Sequence, residues 1–130
     1  MIGRRLELIV HDGRYALAHL PAEVLFPDWA RGEFAAVLRS RRRTTVVCEA
    51  GAVPADIAAQ AGFRCLEIGG EFELDSVGVL AAVVQPLAAA GISVFGYSSW
   101  DTDHVLIQDA DLELALSVLA EAGHSVRDGP

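Results

Sequence analysis

Apolar and polar residues alternate in short runs over the first half of the chain, whereas two stretches of the second half follow helical spacing. The runs at 6–10 and 15–20 flank the turn sequence Asp12-Gly13 and predict a β-hairpin. Further apolar runs bounded by turn residues predict strands at 34–38, 44–48, 63–68, 92–97, 104–108 and 124–127.

Two long helices are predicted at 77–90 and 109–122, and each is followed by a glycine that can end it. In the second helix, the apolar residues fall at i, i+3, i+4 and i+7, which places Leu112, Ala115, Leu116 and Leu119 on one face. Pro86 interrupts the hydrogen-bond ladder of the first helix, so we expect a kink there. Two shorter helices are predicted at 27–30 and 54–61, the latter ended by Gly62.

The order of these elements predicts the fold. From 15 to 68 it reads β, short α, β, β, α, β, and from 63 to 127 it repeats, so the strand at 63–68 can end one set and begin the next. This order predicts an α+β fold of two fused ferredoxin-like βαββαβ repeats, with antiparallel sheets and helices on one face. The expected division is 1–62 and 63–130.

Charge is distributed unevenly along the 130 residues, which carry a net charge of −8. Residues 66–130 contain one Arg and eleven acidic residues, so this half lacks the cations that binding to nucleic acid requires. The basic cluster Arg39-Ser40-Arg41-Arg42-Arg43 lies in the other half. We interpret it as a solvated hairpin tip, with contact to an anion or a partner as the alternative.

Cysteine use and hydropathy favour a cytoplasmic protein. Cys48 and Cys65 lie in strand-like surroundings and are expected to be buried and reduced, because a small secreted domain usually carries more disulfides. The N-terminus does not resemble a signal peptide. Residues 76–100 are uncharged and long enough to span a membrane, but Pro86 and Gly91 favour a buried helix followed by a strand.

Two segments have the chemistry of a small-ligand site. A helix that begins at Asp75-Ser76-Val77-Gly78 offers free backbone N–H groups to an anion, although the same residues also make an ordinary helix start. The loop at 98–103 offers Asp101 and Asp103 to a cation and Trp100 as an apolar or cation–π wall, although it is also compatible with a plain hairpin connection. If the strand order is 4-1-3-2, with 63–68 and 92–97 as neighbours, both segments leave the same edge of the sheet.

The sequence argues against catalysis. Asp103 and His104 are adjacent in a strand and should point to opposite faces, so Ser98, Asp101, Asp103 and His104 are not expected to act together. The four histidines lack metal-ligand spacing, and the chain contains no phosphate-binding glycine motif. We therefore expect no enzyme activity, no cofactor and no metal.

Three segments carry a family resemblance: Asp75-Ser76-Val77-Gly78-Val79-Leu80, 86–95, and Ser98-Ser99-Trp100-Asp101-Thr102-Asp103 followed by an apolar strand. They resemble the ACT domain, and in particular a group of short bacterial tandem ACT proteins similar to the CASTOR-type arginine sensors of animals. The resemblance covers 63–127, with Ser99 where the group has Thr. It covers 14–62 through element order and short motifs such as Leu20-Pro21.

The resemblance implies a regulatory sensor without enzyme activity, in which a degenerate ACT-like repeat at 1–62 precedes an ACT domain at 63–130. Its ligand would be a free amino acid of unknown identity, bound by Asp75, Ser76, Val77, Gly78, Val79, Ser98, Ser99, Trp100 and Asp103. A cytoplasmic homodimer is expected, without nucleic-acid or membrane partners. An oligomerisation or partner-docking module without ligand is the alternative, and a small enzyme is a third.

Overall fold

The computed structural model describes residues 5–69 and 77–129. Its strands are β1 (Glu7–Val10), β2 (Tyr15–Pro21), β3 (Ala36–Arg39), β4 (Arg43–Glu49), β5 (Ala59–Ile68), β6 (Phe95–Ser98), β7 (Asp103–Gln108) and β8 (Ser125–Asp128). Its helices are α1 (Val79–Ala89) and α2 (Leu112–Glu121), with 3₁₀ turns at Ala50–Ala52 and Asp109–Asp111.

The chain divides into two compact units. The main unit comprises Met1–Asp12 and Arg64–Pro130, and the insert unit comprises Gly13–Phe63. The structure therefore places residues 1–12 with the C-terminal unit, where the sequence-based division had put them in the first repeat. The reason is β1, which pairs antiparallel with the end of β5 and parallel with β8.

In the main unit, the strand order is β8-β1-β5-β7-β6. This is the expected order 4-1-3-2 with β1 inserted between the fourth and first strands. The expectation that 63–68 and 92–97 are neighbours is wrong, because β7 lies between β5 and β6. A strand that follows a crossover helix runs parallel to the first strand, and the antiparallel third strand fits between them.

The helices cover one face of this sheet and form the core of the main unit. Every second residue of these strands points into the core, and each helix contributes the apolar residues of one face. The fully buried members of this cluster are Leu8, Leu66, Ile68, Val83, Leu87, Val105, Ile107, Ala115 and Leu119.

Helix α1 contains Pro86, and a histidine from outside the helix compensates for it. Proline has no N–H, so the Ala82 carbonyl loses its usual helical donor four residues on. The buried His124 fills this position, because its Nε2 lies 2.9 Å from the Ala82 oxygen. The other ring nitrogen, Nδ1, accepts the Leu6 N–H at 3.1 Å, so Nε2 carries the proton and donates.

Glycines end both helices in the predicted way. Gly91 and Gly123 adopt φ of +77° and +98°, and the following residues, Ile92 and His124, donate back to the carbonyls of Leu87 and Leu119. These bonds satisfy carbonyls that the helix itself leaves without donors.

In the insert unit, the strand order is β5-β2-β4-β3, again 4-1-3-2 when β2 is counted as the first strand. At 27–30, where one turn of helix is predicted, the chain makes a single turn closed by Ala30 N–H to Pro27 O. The helix predicted at 54–61 is absent, and this segment is a turn that leads into β5. Irregular segments contribute Trp29, Val53 and Ile57 to the core instead, against buried Ala18, Leu20, Val46 and Cys48.

Gly62, predicted to end a helix, lies within β5. Its φ is +87°, and the pairing register with β2 shifts between Tyr15↔Phe63 and Leu17↔Gln60, so β5 has one extra residue there. This is a β-bulge, which requires a residue that tolerates positive φ. Beyond the bulge, β5 enters the main unit and pairs with β1.

Cys48 and Cys65 are buried, as expected, and no disulfide joins them. Burial raises the pKa of the Cys48 thiol, with the neighbouring Glu49 charge acting in the same direction against a backbone hydrogen bond from Arg31. In the part of the chain that is described, no helix has the length and apolar character to cross a membrane.

Candidate functional site

The predicted ligand loop is a tight hairpin between β6 and β7. Ser98 pairs with Asp103, and inside that pair Ser99 N–H donates to the Thr102 carbonyl at 2.9 Å, which leaves Trp100 and Asp101 as the turn. The Ser99 hydroxyl donates to the same carbonyl at 3.2 Å. The loop is therefore ordered by its own hydrogen bonds before any ligand is considered.

Two contacts place this hairpin beside the start of α1. The Thr102 hydroxyl donates to the Ile68 carbonyl, at the end of β5, at 2.6 Å. On the helix-covered face, a Cβ at Gly96 would lie 3.9 Å from Leu80, in the first turn of α1. The hairpin tip, the end of β5 and the beginning of α1 thus share one edge of the main unit.

The alternation of β6 and β7 fixes the face on which the candidate polar groups lie. Gly96 pairs with Val105, whose side chain belongs to the core beneath the helices. Ser98 and Asp103, one pair nearer the tip, lie on that same face. The Asp103 carboxylate, which accepts a hydrogen bond from the Ser98 hydroxyl, therefore lies on the α1 side of the sheet.

The helix start places backbone N–H groups ahead of the intrahelical ladder, shifted by two residues from the predicted donors. Ala82 N–H donates to the Gly78 carbonyl at 3.0 Å, so the N–H groups of 79–81 precede the intrahelical ladder. Gly78 adopts φ +81° with open space around its Cα, so the glycine is required by backbone conformation. The Val79 side chain is buried in the core, and Val77 is 82% exposed.

The other predicted site residues have mixed placements. Asp75 and Ser76 lie outside the described residues. Ser99 and Asp101 are exposed, and Trp100 is 77% exposed, so the tryptophan is not a core residue. Sequence reasoning missed Thr102, which anchors the hairpin, and the backbone donors of Leu80 and Ala81. Only the polarity of Thr102 beside a strand end signalled its role.

The opposite face of the same sheet contains a second polar cluster. His104 is 4% exposed and stacks on Tyr97, with ring centroids 5.0 Å apart and an interplanar angle of 15°. His11 Nε2 lies 2.7 Å from Glu67 Oε1 on the neighbouring strands. Burial lowers the pKa of His104, and His11 acts in the same direction, whereas Glu67, Asp103 and Asp101 oppose the shift.

This cluster bears on the catalytic and metal alternatives. Asp103 faces the helices and His104 faces away from them, as the strand alternation predicted, so the two do not form a catalytic pair. The four histidines are scattered along the sequence, but the fold brings His11 and His104 to one face. Within the described residues, no group of His, Cys, Asp or Glu side chains has the arrangement of a metal site.

Comparison with known proteins identifies the domain type. The profile of the ACT domain matches residues 58–121. Protein Atu0741 from Agrobacterium tumefaciens, a solved structure, is 33% identical, superimposes with a TM-score of 0.92, and the alignment covers 98% of this chain and 96% of that one. No curated protein shows significant similarity to the chain.

More distant structures share the fold. A Vibrio cholerae protein of unknown function, VC0802, described as a possible transport protein, has a TM-score of 0.68 at 22% identity, covering 91% of this chain and 90% of its own. The regulatory subunit of aspartate kinase from Thermus thermophilus has a TM-score of 0.59 at 14% identity, covering 88% and 95%. The chain thus carries an ACT domain over residues 58–121 and belongs to the same family as Atu0741 of Agrobacterium tumefaciens.

Proposed function

We propose that this protein is a regulatory sensor without enzyme activity that binds a free amino acid at the edge formed by the start of α1 and the β6–β7 hairpin. The observation that carries the proposal is the Thr102–Ile68 hydrogen bond of 2.6 Å, because it holds the hairpin beside the strand that leads to α1. An amino acid carries one anion and one cation, and this edge offers a partner for each.

The anionic end of the ligand is assigned to α1. Backbone N–H groups at a helix N-terminus favour negative charge through their free donors and the helix dipole. The groups of 79–81 are outside the intrahelical ladder. The cationic end is assigned to Asp103, whose carboxylate keeps acceptor capacity beyond its bond with Ser98.

The ACT domain and the fold of aspartate kinase regulatory subunits support a regulatory role. The insert unit is, in this proposal, a degenerate second ACT-like repeat: it retains the strand order 4-1-3-2 and has lost the two helices. Cys48 and Cys65 are buried and form no disulfide, which is compatible with the reducing cytoplasm, where we place the protein.

A panel of free amino acids tests the proposal. One of them should raise the melting temperature by mass action, and calorimetry should then give its affinity. Asp103→Asn keeps the volume and the acceptor for Ser98 but removes the charge, so the affinity should fall about ten- to a hundredfold, the value of a charge-assisted bond of about 1.5–3 kcal/mol.

Asp101→Asn is the matched control, since Asp101 is exposed at the turn and its loss should change the affinity little. A confirmed amino-acid ligand whose affinity is the same in wild type and Asp103→Asn would remove the assigned site. If no amino acid binds, the alternative gains support: Trp100 and Val77, 77% and 82% exposed at this edge, would then serve to dock a partner.

A further inference from the structure

An open depression of about 420 Å³ lies on the sheet of the insert unit, above β2 and its two neighbours. It belongs to a different part of the chain from the amino-acid site proposed above, because all its lining residues lie within Gly13–Phe63. They are Leu17, Ala18, His19, Arg43, Thr45, Ala58, Ala59 and Gln60.

Strand register explains why these side chains converge. His19 on β2 lies opposite Thr45 on β4, and the next pair on the same face is Pro21↔Arg43. On the other side of β2, Leu17 lies opposite Gln60 of β5. Diagonal neighbours on one face are about 7–8 Å apart, within reach of long side chains, so Arg43 and Gln60 flank the imidazole of His19.

This face is the one that the unit's own core leaves open. The alternate residues, Ala18 and Leu20 with Val46, point the other way and are buried beneath the irregular segments. His19, Arg43 and Gln60 are exposed, whereas Thr45 is half-buried. Among the described residues, no hydrogen bond or ion pair engages the side chains of these four.

Among the described residues, the lining has the donors that an anion needs and no carboxylate to compete for them. A guanidinium is a permanent cation with a planar set of donors that fits carboxylate and phosphate oxygens. The primary amide of Gln60 and the hydroxyl of Thr45 add neutral donors. Leu17, Ala58 and Ala59 supply apolar contact for a short carbon skeleton.

The charge of the surroundings favours the same ligand. The insert unit contains six Arg and five acidic residues, a net charge of +1, in a chain whose net charge is −8. Arg41 and Arg42 precede Arg43 in an exposed turn held by the Ser40 hydroxyl, which accepts the N–H groups of Arg42 and Arg43. The basic cluster, whose last residue Arg43 lines the depression, therefore lies at its rim.

We propose that this depression is a second ligand site, which binds a small organic anion, a carboxylate or a phosphate ester. Its charged group contacts Arg43 and Gln60 beside His19, and its carbon skeleton lies against Leu17 and Ala58. This assigns a function to the basic cluster beyond that of a solvated hairpin tip.

The test is an NMR titration of the full chain with sodium phosphate, sodium succinate and, as the ionic-strength reference, sodium chloride. Phosphate or succinate should produce saturable shifts at the amides of His19, Thr45 and Gln60, including the Gln60 side-chain amide. Saturation by phosphate alone assigns a phosphate-bearing ligand, and saturation by succinate alone assigns a carboxylate.

Arg43→Gln should weaken the binding about tenfold or more, the loss expected for one charge-assisted contact. Arg42→Gln is the matched control, because it removes the same charge one residue away, outside the lining, and should weaken binding less than about threefold. The proposal is overturned if neither anion shifts these resonances beyond the chloride reference, or if both variants weaken binding equally.

Discussion

Single residues in this protein act through backbone conformation and burial more than through reactive chemistry. Gly78 adopts φ +81° with nothing within 4 Å of the position of a Cβ, so an added methyl group would meet no atom and would still be strained. Gly51 also has open space, but its φ is not positive. Alanine at either position would meet no steric clash, so the difference between the two variants measures the cost of positive φ alone.

We predict that Gly78→Ala lowers the free energy of unfolding by about 1–2 kcal/mol, the cost of the left-handed region for an L-residue. Gly51→Ala should change it by less than about 0.5 kcal/mol. Urea denaturation of both variants measures the difference. Equal stability of the two variants would contradict the assigned role of Gly78.

His104 makes stability depend on pH, with a sign that follows from its burial. Its pKa is lowered in the folded state, chiefly by burial, whereas the unfolded chain titrates near the ordinary value of 6.5. As the pH falls below 6.5, the unfolded state takes up the proton first, so stability present above 6.5 is lost on acidification.

We therefore predict that the melting temperature falls between about pH 7.5 and about pH 5.5, and falls less in His104→Phe, which keeps an aromatic ring against Tyr97. The surroundings of His104 contain the charged and titratable groups His11, Glu67, Asp103 and Asp101, all of which act on His104. His19→Phe, at an exposed position, is the control. An identical pH profile in wild type and His104→Phe would refute the assignment.

Among the elements, α1 is unusual because its interior proline is compensated by a side chain. In an ordinary helix, replacing an interior proline by alanine gains about 3 kcal/mol. Here the carbonyl of Ala82 already accepts a bond from His124 Nε2 at 2.9 Å. The gain from restoring the backbone N–H at position 86 should accordingly be smaller than in an uncompensated helix.

A double-mutant cycle tests this compensation. His124→Leu should cost about 1–3 kcal/mol, because the buried Leu6 N–H and Ala82 carbonyl lose their partner. The cost should be lower in a Pro86→Ala background, where the helix itself supplies a donor to Ala82. Chemical denaturation of the four proteins measures the coupling, and strictly additive losses would show that the two residues act independently.

The comparison of sequence and structure shows which elements local patterns can predict. The two long helices and their terminal glycines, Gly91 and Gly123, were correctly predicted because spacing and caps are local signals. The prediction of a helix at 54–61 was wrong, because a glycine such as Gly62 can adopt positive φ at a β-bulge as readily as at a helix end. The strand β1 was predicted, but the hairpin that pairs it with the strand at 15–20 was wrong, because β1 pairs with β5 and β8 instead. Pairing between segments so far apart in the chain has no local signature.

The candidate site was likewise predictable only where local patterns or the strand order determine it. The expected strand order 4-1-3-2 placed 98–103 and the start of α1 at a shared edge, although the strand next to 63–68 was misassigned. The anchoring bond from Thr102 to Ile68 was beyond sequence reasoning, because it joins residues that only the strand order brings together. The face of Asp103, in contrast, followed from alternation alone.

At the scale of the whole molecule, unpaired sheet edges bear on assembly. Among the described strands, β3 pairs only with β4, β6 only with β7 and β8 only with β1. Exposed strand edges are sites where a second copy can add. We predict a homodimer.

Sedimentation at micromolar concentration should give about twice the chain mass of 13.8 kDa. Gly96→Pro, in edge strand β6 at a position whose N–H faces away from β7, should shift the equilibrium towards monomer if that edge is used. Val126→Pro tests β8 in the same way. A single species of 13.8 kDa in the wild type would exclude the dimer at that concentration.

The position of β1 also has a consequence for synthesis. Among the described strands β1 leaves the ribosome first, yet Leu8 pairs with Ile68, beyond the entire insert unit, and with Val126, in β8. The insert unit is contiguous and has all its segments once Phe63 has emerged. The main unit must keep its first strand unpaired on one side until its last strand is made. The nascent chain is therefore most vulnerable to aberrant strand pairing at β1.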